Sequence, residues 1–397
     1  MNLKIMDLLS KSIPSLIFLC MAHFLIDFMI GIWPVYKTLA DLDLAIAGLI
    51  WAVGASCGEG MQLLFGRMAD SGYRKKLIIT GLFLSSVGAF FAFFTNYYIL
   101  CLLFWMVCLG SGAFHPSAVG LVGKLTETKK GTFITIFAAF GALGIGVSQI
   151  IYTWFYNHAY GSTLWLFIPV VMLATFLLQK PLIRQGGALA ERPKLKQFLK
   201  FFQNRGLKLL YISQICNQAI TWGFMFLLPD VLKVRGYEPM MVFGGGHLAY
   251  ILGGVLFLIP SGYLADKYSA RSVILGSTGI GMLLFYAFLF SPELENAAAL
   301  TLLFGLGGML SIVNPVTVAL GNKLAPHHPG MVSAFLMGCV WCVAEFIGPG
   351  GGGLLTKLFE NDAPARALML LGSISLIGLV AVYRLPSKVA EQVVSPL

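Results

Sequence analysis

The chain has 397 residues, 58% of them hydrophobic and 11% charged, against about 25% charged residues in an average soluble domain. This composition excludes a water-soluble enzyme. Twelve bilayer-spanning helices of roughly 23 residues would use about 276 positions and leave about 121 for loops and ends, too few for a soluble domain.

Apolar stretches separated by short polar breaks predict spans over 13–36, 44–66, 77–95, 97–122, 131–156 and 162–179. Six more follow over 207–232, 240–262, 272–291, 297–320, 331–356 and 366–383. The N-terminal run with Lys4 and Lys11 resembles a secretory leader, but its apolar part is long and has no small-residue cleavage site, so it reads as a retained first span. The polar stretch from Lys180 to Lys208, with Arg184, Arg192, Lys194, Lys196, Lys200 and Arg205, separates the halves. The expected fold is an all-α membrane protein of twelve transmembrane helices, with six-helix bundles over 1–180 and 207–397 and a cytoplasmic linker over 181–206.

Lys and Arg concentrate in cytoplasmic loops. Of the 27 basic residues, all but Lys37, Lys233, Arg235, Lys357 and Arg366 fall on the side that carries both termini and the linker. Both termini are therefore expected in the cytoplasm. The net charge of +10 follows from that topology without a nucleic-acid partner. Apart from Lys208 and Arg366 at span ends, this placement leaves no Lys or Arg inside a span. The seven cysteines all fall within spans, which excludes an extracellular disulfide framework, and Cys339-x-x-Cys342 reads as a pair of small packing residues.

The two halves repeat one another. Gly66-x-x-x-Asp70 after the second span matches Gly262-x-x-x-Asp266 after the eighth, His115-Pro116 in the fourth matches Asn314-Pro315 in the tenth, and Pro34 matches Pro229. Several coincidences in chain order at nearly one offset argue for two parallel repeats. Twelve spans, a basic linker and these loops resemble the major facilitator superfamily over essentially the whole chain. Its loop signature, G-x-x-x-D-R-x-G-R-K, is kept here at Gly66, Asp70, Arg74 and Lys75, with Ser71 and Tyr73 where Arg and Gly are expected. Within the superfamily, His23-x-x-x-Asp27 and Gly110-Ser-Gly-Ala-Phe-His115-Pro116 resemble the fosmidomycin resistance protein group of drug exporters. That group continues its F-H-P with Glu and then Arg, where this chain has Ser117 and Gly120.

Ionisable groups inside a bilayer call for a functional account. Asp27, Glu59 and Glu345 are the acids read within spans, and with His23 one helical turn from Asp27 they are the candidate proton-coupling residues. Glu345 lies three residues before the run from Gly348 to Gly353, where it serves either an ion or exposed helix carbonyls. His115, Gln214, Asn217, Gln218, Asn314 and Trp222 are the candidate substrate contacts, since the resemblance implies that spans 1, 4, 7 and 10 line the central path. Gly66, Asp70, Arg74 and Lys75, with Gly262 and Asp266 in the second copy, form the expected cytoplasmic gate. His247, Gln149 and Trp33 read as packing residues, and His327-His328 as a loop pair.

These features predict a secondary transporter working by alternating access, a monomer whose partners are a small-molecule substrate, protons and the lipid bilayer. Without intraspan basic residues, a neutral, cationic or amphipathic substrate and proton-coupled export are expected. The alternatives are proton-driven uptake of a nutrient or metal chelator, or a transporter-like sensor. No nucleotide loop, hydrolase motif, cofactor or metal site is read, so the chain is not expected to be an enzyme. A bacterial inner membrane is the expected location.

Overall fold

In hydrocarbon a chain must satisfy its own backbone hydrogen bonds, which favours helices wherever apolar residues run for about twenty positions. The computed structural model describes residues 2–126, 130–158, 161–179, 200–326 and 329–385. Helices α1 (Asn2–Leu39), α2 (Leu44–Met68), α3 (Arg74–Ser85), α4 (Tyr97–Val122), α5 (Lys130–His158) and α6 (Phe167–Gln179) occupy the first half. The second half holds α7 (Arg205–Val234), α8 (Gly246–Lys267), α9 (Ala270–Phe290) and α10 (Asn296–Leu324). Three short helices follow, α11 (Pro329–Ser333), α12 (Cys339–Glu345) and α13 (Gly352–Leu355), then α14 (Ala363–Gly372) and α15 (Ser375–Tyr383).

Among the described residues, ten helical stretches are long and apolar enough to cross a membrane. One of them, Leu44–Phe93, has 50 residues and turns at Gly72, whose φ of 99° lies in the left-handed region that glycine tolerates. The wide turns at Ala334–Gly338 and Phe346–Gly351 separate α11, α12 and α13, and Pro349 removes a backbone donor inside the second. Start signals are local. Asn96 accepts hydrogen bonds from the Tyr98 and Ile99 amides to cap α4, and Asn204 caps α7 through the Leu207 amide.

Packing divides the chain into two compact units, residues 1–36 with 57–192, and residues 37–56 with 193–397. In the first unit, α2 and α4 meet through glycines. A Cβ on Gly58 would come within 2.5 Å of the Cys108 carbonyl oxygen, and one on Gly112 within 2.3 Å of that of Gly58. In the second unit, the segment 37–56 is held by a similar fit, where a Cβ on Gly48 would lie 2.4 Å from the Pro349 oxygen and one on Gly353 2.4 Å from that of Leu44. The Ser56 hydroxyl adds a 2.8 Å hydrogen bond to the Cys342 carbonyl.

Lys37 corrects the sequence reading. The spacing places it in an outer loop, yet α1 runs on to Leu39 and Lys37 is 0% exposed. Its ammonium pairs with Asp230 of α7, donates to Thr38 at 3.1 Å and sits 4.6 Å from the centre of the Phe226 ring. A basic residue therefore does lie inside an apolar helical stretch. Its partner Asp230, within the predicted span 207–232, is an intraspan acid missing from the sequence reading. The seven cysteines are free, and the Tyr211 hydroxyl donates to the Cys339 carbonyl at 3.3 Å. Most of the predicted linker, and His327-His328, lie outside the described residues; Lys200–Gln203 forms a short tight turn before α7.

Candidate functional site

In the first unit three side chains converge. His23 and Asp27, four residues apart on α1, place Nε2 and Oδ2 3.2 Å from each other. His115 of α4 brings its own Nε2 to 3.1 Å from that of His23 and 3.3 Å from Asp27 Oδ1. His23 and Asp27 are 6% and 8% exposed, while the His115 side chain keeps 20% of its surface open.

The surroundings fix one tautomer. His23 Nδ1 lies 2.7 Å from the Phe137 carbonyl oxygen of α5, and a carbonyl only accepts, so this nitrogen carries the proton. In a neutral ring Nε2 then turns a lone pair toward the Asp27 carboxylate. Two acceptors facing each other at 3.2 Å require a cation between or upon them. His115 Nδ1 has two partners on the preceding turn, the Ser111 carbonyl and hydroxyl, each at 3.0 Å.

Close helix packing makes the convergence possible. A Cβ at Gly141 of α5 would lie 2.4 Å from His23 Nε2 and 2.5 Å from Asp27 Oδ2, so only glycine fits there. At Gly144, one turn on, a Cβ would come 2.2 Å from the Phe24 carbonyl oxygen. Glu59 of α2, hydrogen-bonded by the Gln62 amide, lies within electrostatic reach of His115 and Asp27.

The expected gate residues meet in part. Arg74 donates to Asp70 at 2.9 Å and to the Ser117 carbonyl at 3.1 Å, and it is buried while the Asp70 side chain is 56% exposed. Lys75 donates to the Leu178 carbonyl at 3.0 Å. A Cβ on Gly66 would make only an ordinary 3.8 Å contact with Pro116, so no close approach explains that glycine. Gly120 is the tight position instead, since a Cβ there would overlap an Arg74 guanidinium nitrogen. Gly262 and Asp266 lie on α8, with side chains outside the described set.

In the second unit, Gln214 donates to Asn314 Oδ1 at 2.6 Å, joining α7 to α10. Asn217 and Gln218 are buried beside it, and Asn217 lines a small cavity with Ser213, Thr278 and Ser375. Trp222 packs against Trp51 with ring centres 5.9 Å apart. The Trp51 indole donates to Glu345 at 3.0 Å, so a side-chain donor is among the partners of this acid. Trp33 is buried against Phe91 and Phe104, as a packing residue would be.

Sequence reasoning separated His115, as a substrate contact, from the His23–Asp27 pair; the fold puts all three at one point. It also missed Trp51, Phe137 and Lys37. Only the Lys37–Asp230 pair left a sequence signal, an acid inside a predicted span that wants a cation.

The family model described as Major Facilitator Superfamily matches residues 15–349 and again 245–396. A multidrug resistance protein of Photorhabdus laumondii, MdtH, is 30% identical over 329 residues, 82% of each chain. Among solved structures, a nucleoside transporter, NupG, superposes with a TM-score of 0.75 at 14% identity, covering 94% of this chain and 99% of that one. A bacterial homologue of the human lysosomal transporter Spinster, inward-facing and unoccupied, gives 0.76 at 15% identity, covering 98% and 99%. The match over most of the chain, with the shared helical fold, shows that this protein is a membrane transporter, not an enzyme, and belongs to the major facilitator superfamily.

Proposed function

We propose that the protein is a proton-coupled exporter of a small neutral, cationic or amphipathic compound, working by alternating access between two six-helix halves. The observation that carries this reading is the intramembrane carboxylate of Asp27 held between two imidazoles, an arrangement that calls for a proton and offers a relay for it. Glu59 stands near enough to tune that proton's residence, and Glu345 is a second protonatable acid. Gln214, Asn217, Gln218, Asn314 and Trp222 supply polar and aromatic contacts for the substrate.

The substrate class rests on charge balance. Asp27, Glu59 and Glu345 put negative potential within the spans, while the charge of Lys37 is matched by Asp230, so a permanent anion finds little to hold it. The likeness to a multidrug resistance protein supports export, and the His23-x-x-x-Asp27 and Phe114-His115-Pro116 motifs support kinship with the fosmidomycin resistance group. The basic-residue distribution supports cytoplasmic termini, with twelve spans in a bacterial inner membrane, and the Asp70–Arg74 pair acts as a cytoplasmic clasp that breaks and re-forms during transport. The second copy, Gly262 and Asp266, has the matching role.

The test is proton movement in proteoliposomes with an internal pH dye, using cationic, neutral and anionic compounds on wild type and Asp27→Asn. Compound-dependent proton movement should be lost in Asp27→Asn protein that still unfolds at the wild-type temperature, and its sign separates antiport from symport. Equal proton movement in the two proteins would remove Asp27 from the mechanism.

A further inference from the structure

We infer that His23, Asp27 and His115 form a binding site for a divalent transition-metal ion of the Zn²⁺ or Co²⁺ kind. The first argument is metric. His23 Nε2 lies 3.1 Å from His115 Nε2 and 3.2 Å from Asp27 Oδ2, and His115 Nε2 lies 3.3 Å from the other carboxylate oxygen, Oδ1. Tetrahedral coordination with bonds of about 2.0–2.1 Å has ligand-to-ligand edges of roughly 3.3–3.4 Å. Each of these separations is close to a tetrahedral edge, the carboxylate turning one oxygen toward each imidazole, and one ligating atom from each residue lies within 4.8 Å of the other two.

The second argument is the hydrogen-bond pattern around the donors. A ligating imidazole characteristically gives its other N–H to a carbonyl or carboxylate, which fixes the ring and aims the free lone pair. His23 does this toward Phe137, at 2.7 Å. His115 has the matching acceptor in the Ser111 carbonyl, at 3.0 Å. Each histidine is therefore provided with what a metal ligand needs behind it, and the two Nε2 atoms converge on a carboxylate where a cation is required.

The third argument is space and access. At position 141 only glycine fits, because the first side-chain carbon of any other residue would run into His23 Nε2 and Asp27 Oδ2. His115 keeps one fifth of its side chain open, so a fourth ligand, water or a donor atom of a bound solute, has a way in. Two neutral imidazoles and one carboxylate leave a divalent ion with one net positive charge, and Glu59 is close enough to offset it. Two nitrogens and one oxygen suit Zn²⁺ and Co²⁺ better than Mg²⁺ or Ca²⁺, which prefer oxygen ligands.

This inference shares its residues with the proton reading but not its outcome, because equilibrium metal binding is measured without a gradient or a substrate. The experiment is titration of CoCl₂ into metal-free, full-length protein in nanodiscs, followed by visible absorption. One Co²⁺ per chain should bind with the intense bands of a tetrahedral site, and ZnCl₂ should bleach them. His115→Gln and Asp27→Asn should each weaken binding at least about tenfold. Gly141→Ala, which leaves every donor in the sequence, should weaken it likewise, while His158→Gln at the exposed end of α5 should bind as wild type does. Absence of tetrahedral bands in the wild type, or wild-type affinity in both His115→Gln and Gly141→Ala, would overturn the assignment. A loss of bands in His158→Gln equal to that in His115→Gln would overturn it as well.

Discussion

Removing either partner of the Lys37–Asp230 pair should be among the costliest single changes in this chain. The ammonium is fully buried, and the Asp230 side chain keeps 9% of its surface, so water cannot take over the charge that remains. Breaking a buried pair from one side costs about 3–5 kcal/mol, whereas replacing both partners by apolar residues of similar volume is often neutral or stabilising. Lys37→Met and Asp230→Leu should therefore each shift the unfolding equilibrium by roughly two to three and a half decades, and the double variant should recover most of that loss. Thr38 moderates the first number. Its hydroxyl holds Asp230 Oδ1 at 2.8 Å and stays in place when Lys37 is replaced. The neighbouring pair of Lys233 and Asp41 is the control, because its side chains are 41% and 81% exposed, and neither removal should cost more than about 1 kcal/mol. Reversible unfolding in mixed micelles reads all six proteins. Additive losses in the double variant, or equal losses at the buried and exposed pairs, would refute the argument.

Three other outcomes follow from the same structure. Asp43 lies between α1 and α2. Burial alone would raise its carboxyl pKa, but hydrogen bonds from Lys357 and from the Ile46 and Ala45 amides hold it below the ordinary value. A depressed folded pKa gives stability that is present above the unfolded value of about 3.9 and lost as pH falls through the folded one. Unfolding followed from pH 6 down to pH 2 should show that loss in wild type, and Asp43→Asn should flatten it while keeping the cap on α2. Gly144→Ala should cost about 1–3 kcal/mol, because the obstacle is the Phe24 backbone, whereas Gly66→Ala should change the unfolding midpoint little. Gly120→Ala should expel the Arg74 guanidinium from its pocket, so its cost should largely vanish in an Arg74→Gln background, which a double-mutant cycle detects.

The helical content was legible because apolar runs of spanning length have few other solutions in hydrocarbon. The boundaries of compaction were less so. Apolar periodicity marks where a helix lies but not which neighbours it keeps along its length, and α1 passes from one unit to the other between Tyr36 and Lys37. The glycines that decide such contacts look alike in sequence. Gly66, singled out by its motif, packs loosely, while Gly48, Gly120 and Gly353 carry the close approaches.

The candidate site divides along the same line. His23 and Asp27 were readable as a pair because four residues make one helical turn, a relation internal to one helix. His115 was readable only as a polar residue before a proline, since its distance from Asp27 is set by how α1, α4 and α5 pack. That packing is in turn set by glycines, and Gly141 matters through the side chain it lacks. A carboxylate, two imidazoles and a missing methyl group make one cation-binding point, and the His115 imidazole and the missing methyl group belong to it only through tertiary contacts. The residue types therefore pointed to proton chemistry, while the contacts of 3.1–3.3 Å among the three side chains bring proton and metal binding to a single place where they compete.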